Sequence, residues 1–121
     1  MKKVVLIADD SPTIRKFVAF SLTMQGLEVI SAVDGMEALE KIPEHKIDLL
    51  ITDLNMPNMD GFELIMAVRQ TEEYRDLPII ILSSLSSSEE IEKGMSCGAN
   101  SYLVKPFDPK RIQYEVAKYL S

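Results

Sequence analysis

The sequence predicts an α/β fold, a doubly wound parallel sheet of five strands with helices on both faces, and three observations predict it. Short apolar runs alternate five times with segments of helical periodicity, the pattern of βα units around a parallel sheet. Three of those runs are almost purely apolar, as strands buried on both faces require. No linker, composition shift or low-complexity tract interrupts the 121 residues, of which 46% are hydrophobic, enough for one packed core. The expected organisation is therefore a single domain over residues 1–121.

The first strand is expected at 4–8. Ser11 and Pro12 then read as the N-cap and first position of a helix that places Ile14, Phe17, Val18 and Leu22 on one face and stops at Gly26. A second strand at 27–32 leads to Asp34 and Gly35, which open a helix running through Ala38, Leu39 and Ile42 to a halt at Pro43. After the third strand, 47–52, Asp60 with Glu63 three residues on forms a capping box for a helix with Leu64, Ile65 and Val68 on its core face. The fourth strand, 79–82, precedes a helix that begins within 86–90, presents Ile91 and Met95, and ends at Gly98. The fifth strand, 101–104, is followed by Asp108 and Pro109 and an amphipathic helix with Ile112, Val116, Tyr119 and Leu120 turned to the sheet. The seven methionines are expected mostly in the core, with Met56 and Met59 open to an adaptable partner contact.

The bulk properties exclude several classes of function. A net charge of −6 argues against direct nucleic-acid binding, which needs a basic surface to displace counterions, and points to protein partners. No apolar run approaches the roughly 18 residues of a membrane span. Lys2 and Lys3 lead into an apolar run too short for a signal-peptide core, so the expected location is cytoplasmic. Cys97 is the single cysteine and offers neither an internal disulfide nor metal-ligand spacing, so it reads as a small core residue. His45, in a polar turn with Pro43, Glu44 and Lys46, reads as a solvated side chain without a role.

In a sheet of this kind, functional groups collect beyond the carboxyl ends of the strands. Asp9 and Asp10 follow the first strand, Asp53 the third, Ser83 and Ser84 the fourth, and Lys105 the fifth. Each has a commoner structural explanation: a helix-capping acid, a turn acid, a loop serine, a solvated lysine. Those explanations do not account for all of them standing at strand ends. Clustered carboxylates repel one another unless a cation neutralises them, and a hard divalent ion with oxygen ligands, Mg²⁺, suits the set. Asp10 and Asp53 are expected as direct ligands, the backbone carbonyl of Asn55 as a further one, and Asp9 as acting through water. Asp53 can then attack phosphorus in line to form an aspartyl phosphate, with Lys105 and the Ser83 hydroxyl meeting the charge on the phosphoryl oxygens.

Asp9 and Asp10, the run from Asp53 to Gly61 (Asp-Leu-Asn-Met-Pro-Asn-Met-Asp-Gly), Ser83, and Lys105 with Pro106 stand in the order of one known family. Over essentially its whole length the chain resembles the receiver domains of bacterial two-component response regulators, including stand-alone chemotaxis receivers of the CheY-like kind. The resemblance implies a flavodoxin-like strand order of 2-1-3-4-5 and a cis peptide bond before Pro106. It implies that a sensor histidine kinase or a histidine phosphotransfer protein donates the phosphoryl group. It also implies that Ser83 moves toward that group with Tyr102 turning inward behind it, which switches a surface of the fourth helix, fifth strand and fifth helix for a downstream effector. Ser84 stands where the family commonly has Ala or Gly, at the point of phosphodonor access.

Other classes of function stay in view. An Asp-nucleophile phosphatase or phosphotransferase uses a second acid two residues after the nucleophile, where this chain has Asn55. A flavodoxin-like cofactor binder favours a hydroxyl- and glycine-rich loop after the first strand, where Asp9 and Asp10 would repel phosphate. A module that binds partners without switching is the third.

Overall fold

A computed structural model describes residues 2–120. The elements follow in the order β1 (Val4–Ala8), α1 (Pro12–Thr23), β2 (Glu28–Ala32), α2 (Gly35–Lys41), β3 (Leu49–Thr52) and α3 (Gly61–Gln70), then a 3₁₀ turn at Glu72–Tyr74. They continue with β4 (Ile79–Ser83), α4 (Ser88–Ser96), β5 (Ser101–Val104) and α5 (Pro109–Leu120). The five strands form one parallel sheet in the order β2-β1-β3-β4-β5. The chain thus reverses direction across the sheet between β1 and β3, which opens a crevice at their carboxyl ends.

Alternation along the strands sorts the core into two layers. Val5, Ile7, Leu49, Ile51, Ile80, Leu82 and Leu103 face Val18 and Leu22 of α1 and Ile112 and Val116 of α5. Leu6, Ala8, Leu50, Ile79 and Ile81 face the other way, onto Ala38 of α2, Ile42 at its C-terminal cap, and Leu64, Ile65 and Val68 of α3. The expected caps are in place. Ser11 Oγ accepts from Ile14 N, Asp34 from Glu37 N, and Asp60 and Glu63 close a reciprocal capping box.

The differences from expectation have local causes. β2 begins at Glu28, opposite Val4 where β1 itself starts, and β3 begins at Leu49, opposite Val5. Asp48, expected within the strand, lies just before it: its N donates to Val4 O at 2.8 Å and its side chain accepts from Val4 N at 2.8 Å. β4 runs one residue further than expected, since Ser83 pairs with Val104. Met95 is 40% exposed, and α4 meets the sheet through Gly94. Without a side chain there, the helix lies against Ile81 and the Tyr102 ring. The methionines correct a second expectation: Met24, Met36, Met66 and Met95 are exposed, whereas Met56 is buried in the core and Met59 packs on it. Met1 lies outside the described residues. Cys97 is half-buried against the core, and His45 is exposed.

Two glycines test how rigidly the layers meet. A Cβ at Gly61 would overlap the Asp53 carbonyl oxygen and come within 2.8 Å of Leu54 Cα, both backbone atoms. Gly61→Ala is expected to lower stability by about 3 kcal/mol, seen as a reduced urea midpoint. At Gly94 the obstacle is the mobile end of Ile81, 2.7 Å away, and alanine gains helix propensity. Gly94→Ala is expected to shift stability by no more than about 1 kcal/mol in the same assay.

Candidate acidic site at the strand ends

The first strand ends in the core, so the acid after it is delivered buried. Asp9 N donates to Ala32 O of β2 at 3.1 Å, which continues the ladder and leaves Asp9 with no exposed surface. Its Oδ1 accepts from Ser11 N at 2.9 Å and its Oδ2 lies 3.2 Å from Lys105 Nζ. Arg15, one turn into α1, donates from Nη1 to the Asp9 carbonyl at 2.8 Å. Asp10, the next residue, is exposed.

The third strand delivers Asp53 in the same manner. Asp53 N donates to Ala8 O at 2.9 Å, setting this side chain beside the first-strand acids. Asp53 is 8% exposed; its Oδ1 accepts from Leu54 N at 2.7 Å and its Oδ2 lies 3.4 Å from Lys105 Nζ. Burial holds its carboxyl above the ordinary carboxylate range, Lys105 opposes that rise and Asp9 adds to it. One ammonium group thus serves two buried carboxylates from strands on either side of the reversal point.

Lys105 reaches them from the end of β5. Its backbone N donates to Ser83 O at 2.8 Å, and its peptide bond to Pro106 is cis. Ser83 is buried, and its Oγ accepts from Leu85 N at 3.1 Å. The carbonyl of Leu85 in turn accepts from the Tyr102 hydroxyl at 2.7 Å. Ser83 and Tyr102 are therefore joined through the backbone of one residue. Burial, ahead of other causes, raises the Tyr102 hydroxyl's pKa. Ser84 and Asn55 are exposed, and Ser84 lines a largely apolar groove with Ile14, Phe17, Pro106 and Phe107.

One carboxylate oxygen from each of Asp9, Asp10 and Asp53 can be chosen so that all lie within 4.8 Å of one another. Three carboxylates against one ammonium leave two negative charges, and the ligand atoms are all oxygen. That donor set fits a hard divalent cation such as Mg²⁺. Asp9 and Asp53 each engage both carboxylate oxygens within the chain, with a backbone N–H and with Lys105, whereas Asp10 is exposed at the rim.

The structure thus gathers Asp9, Asp10, Asp53 and Lys105, with Ser83 and Tyr102 linked at one side. Arg15 and the Leu85 bridge were not foreseen. Nothing in the sequence separates Arg15 from its solvated neighbour Lys16, and Leu85 acts through backbone atoms, which leave no mark on residue type.

Comparison with known proteins agrees with this geometry. The family model described as response regulator receiver domain matches residues 5–117. The sensor protein EvgS of Escherichia coli K12 is 49% identical over 102 residues, covering 84% of this chain; the chain spans only 8% of that protein. The chemotaxis protein CheY4 of Vibrio cholerae superposes with a TM-score of 0.93 at 39% identity, over 98% of this chain and 99% of that one. The receiver domain of the sensor histidine kinase PA1611 of Pseudomonas aeruginosa superposes with a TM-score of 0.91 at 25% identity, over 99% and 98% of the two chains. That structure holds a magnesium ion coordinated in its active-site cleft. Among the described residues, no helix is long and apolar enough to cross a membrane. With its strand order, its acidic cluster and a family match over nearly its whole length, this chain belongs to the response regulator receiver domain family.

Proposed function

We propose that residues 1–121 form one receiver unit in which Asp53 accepts a phosphoryl group from a phosphohistidine and thereby switches a protein-binding surface. The observation that carries this reading is the meeting of Asp53 with Lys105 and the first-strand acids at the sheet's reversal point. A carboxylate oxygen of Asp53 attacks phosphorus as the bond to the donor imidazole nitrogen breaks, and the imidazole leaves with the electron pair. Leu54 N orients the nucleophile through Oδ1. Lys105 Nζ, already beside Oδ2, offsets the charge that gathers on the phosphoryl oxygens.

Asp10, Asp53 and the Asn55 carbonyl would hold Mg²⁺, with Asp9 acting through water. The ion supplies charge neutralisation of the phosphoryl oxygens. Ser83 Oγ leaves Leu85 N and donates to a phosphoryl oxygen, and the Leu85 carbonyl carries that shift to Tyr102. The readout is a changed surface of α4, β5 and α5 for a downstream effector, and the donor is a sensor histidine kinase or a histidine phosphotransfer protein. Activity is confined to self-phosphorylation and slow loss of the phosphoryl group. Asn55 stands where a phosphatase of the Asp-nucleophile class needs an acid.

Incubation with Mg²⁺ and acetyl phosphate should yield a labile mass adduct in wild type and none in Asp53→Asn; an equal adduct in both would remove Asp53 from the role. Calorimetric titration should show Mg²⁺ affinity reduced about 10-fold or more in Asp10→Asn.

The raised carboxyl of Asp53 sets a third expectation. Its folded state binds the proton more tightly than the unfolded chain, so the metal-free protein loses stability as pH rises from the ordinary carboxylate value of about 4 through the folded value. Asp53→Asn, without that ionisation, should be the more stable of the two at neutral pH in the absence of metal. Denaturant melts should show the gap closing as the pH falls toward about 4.

A further inference from the structure

The loop from β3 to α3 contains a turn that the reading of Asp53 leaves unexplained. Asn58 has φ 69°, the one positive value on a non-glycine residue among the described residues. Met59 N donates to Pro57 O across it at 2.8 Å. A bond spanning three residues about a positive φ is the γ-turn of the rarer hand, a strained form that persists only where its surroundings hold it. Asn is among the few residues that enter this region readily.

What holds it is the corner where α2 begins. Asn58 Nδ2 donates to Asp34 Oδ2 at 2.6 Å, and Gly35 N donates to Met59 O at 3.1 Å. A Cβ on Gly35 would come within 2.6 Å of that same Met59 oxygen, so the approach requires glycine. Asp34 divides its carboxylate between two tasks. Oδ1 caps α2 through Glu37 N at 2.8 Å, and Oδ2 holds Asn58. These two bonds, the cap first, keep its carboxyl below the ordinary range. At the loop's other end Leu54 is anchored twice, its N to Asp53 Oδ1 at 2.7 Å and its O to Gly61 N at 3.0 Å. Asn55 lies between this anchor and the held turn.

We propose that Asp34 and Asn58 are a positioning pair for the cation site: Asp34 clamps the turn at Asn58 and thereby fixes the backbone carbonyl of Asn55, so that a corner outside the acidic cluster tunes Mg²⁺ affinity. The proposal rests on the assignment of the Asn55 carbonyl as a ligand beside Asp10 and Asp53. A carbonyl already in place needs no ordering when an ion arrives, whereas a loop released from the strained turn must be ordered again, which lowers affinity.

The test is calorimetric Mg²⁺ titration of wild type, Asn58→Gly, Asp34→Ser, the double variant and Asp10→Asn, each with a metal-free thermal melt. Glycine keeps positive φ accessible while removing the amide, and serine retains a cap for α2 but is too short to reach Asn58. Each single variant should lose affinity on the order of 10-fold, with the metal-free Tm of Asn58→Gly within about 4 °C of wild type. The double variant should lose no more than either single one, because one bond can be broken only once. Wild-type affinity in Asn58→Gly, or additive losses on the order of 100-fold in the double variant, would overturn the proposal. Asn58→Gly touches no helix cap and decides the matter alone if Asp34→Ser melts too early. If Asp10→Asn weakens binding and Asn58→Gly does not, the clamp is wrong and the site stands; if Asp10→Asn also binds as wild type, the site assignment itself fails.

Discussion

The ammonium group of Lys105 stands between two carboxylates that the fold buries, Asp9 with no exposed surface and Asp53 with little. Removing two carboxylates from water costs several kcal/mol each unless partners replace the lost hydration. Here each acid receives one backbone N–H and a share of one lysine, from Ser11 and Leu54 on one side and Lys105 on the other. Among the described residues no buried side-chain nitrogen or oxygen lacks a hydrogen-bond partner, so the burial is satisfied but not neutral. With Asp10 at the rim the cluster keeps an excess of negative charge, and that excess gives a divalent ion or a cation-screened phosphoryl group a reason to bind.

The sheet makes this arrangement possible and also rigid. Asp9 and Asp53 each continue a ladder by donating a backbone N–H to the neighbouring strand, to Ala32 and Ala8 respectively. Their positions are therefore those of β1 and β3, held from both faces by packed aliphatic layers. Lys105 is placed by its own backbone bond to Ser83. Ser83, Leu85 and Tyr102 are different in kind. Their link runs through a loop outside the ladder, by single hydrogen bonds that can be exchanged without breaking the sheet. Ladder hydrogen bonds thus hold the acids in place, while single bonds outside the ladder link Ser83 to Tyr102.

Much of this was legible in residue type and spacing. Ser11, Asp34 and Asp60 announced their helices because a capping oxygen three residues before a free N–H is a local interaction. The acids and the lysine stood out because hydrophobic runs end at them. Where local rules misled, packing had intervened. Met95 has the spacing of a core residue, yet α4 approaches the sheet through Gly94, and most of the described methionines are exposed because Leu, Ile and Val already fill both layers. The start of β2 shifted by one residue because its ladder begins where β1 begins, a property of two segments and not of one.

By itself the chain determined the number of βα units, the caps, and which charged groups stand at strand ends, since these depend on neighbours a few residues away. Only the tertiary structure decided that one side chain, Lys105, meets both Asp9 and Asp53 while Asp10 is open, and that Asp34 reaches Asn58 across 24 residues of sequence. Those choices hang on distances between backbone atoms of elements remote in sequence, and residue identity carries no record of such distances until the layers close.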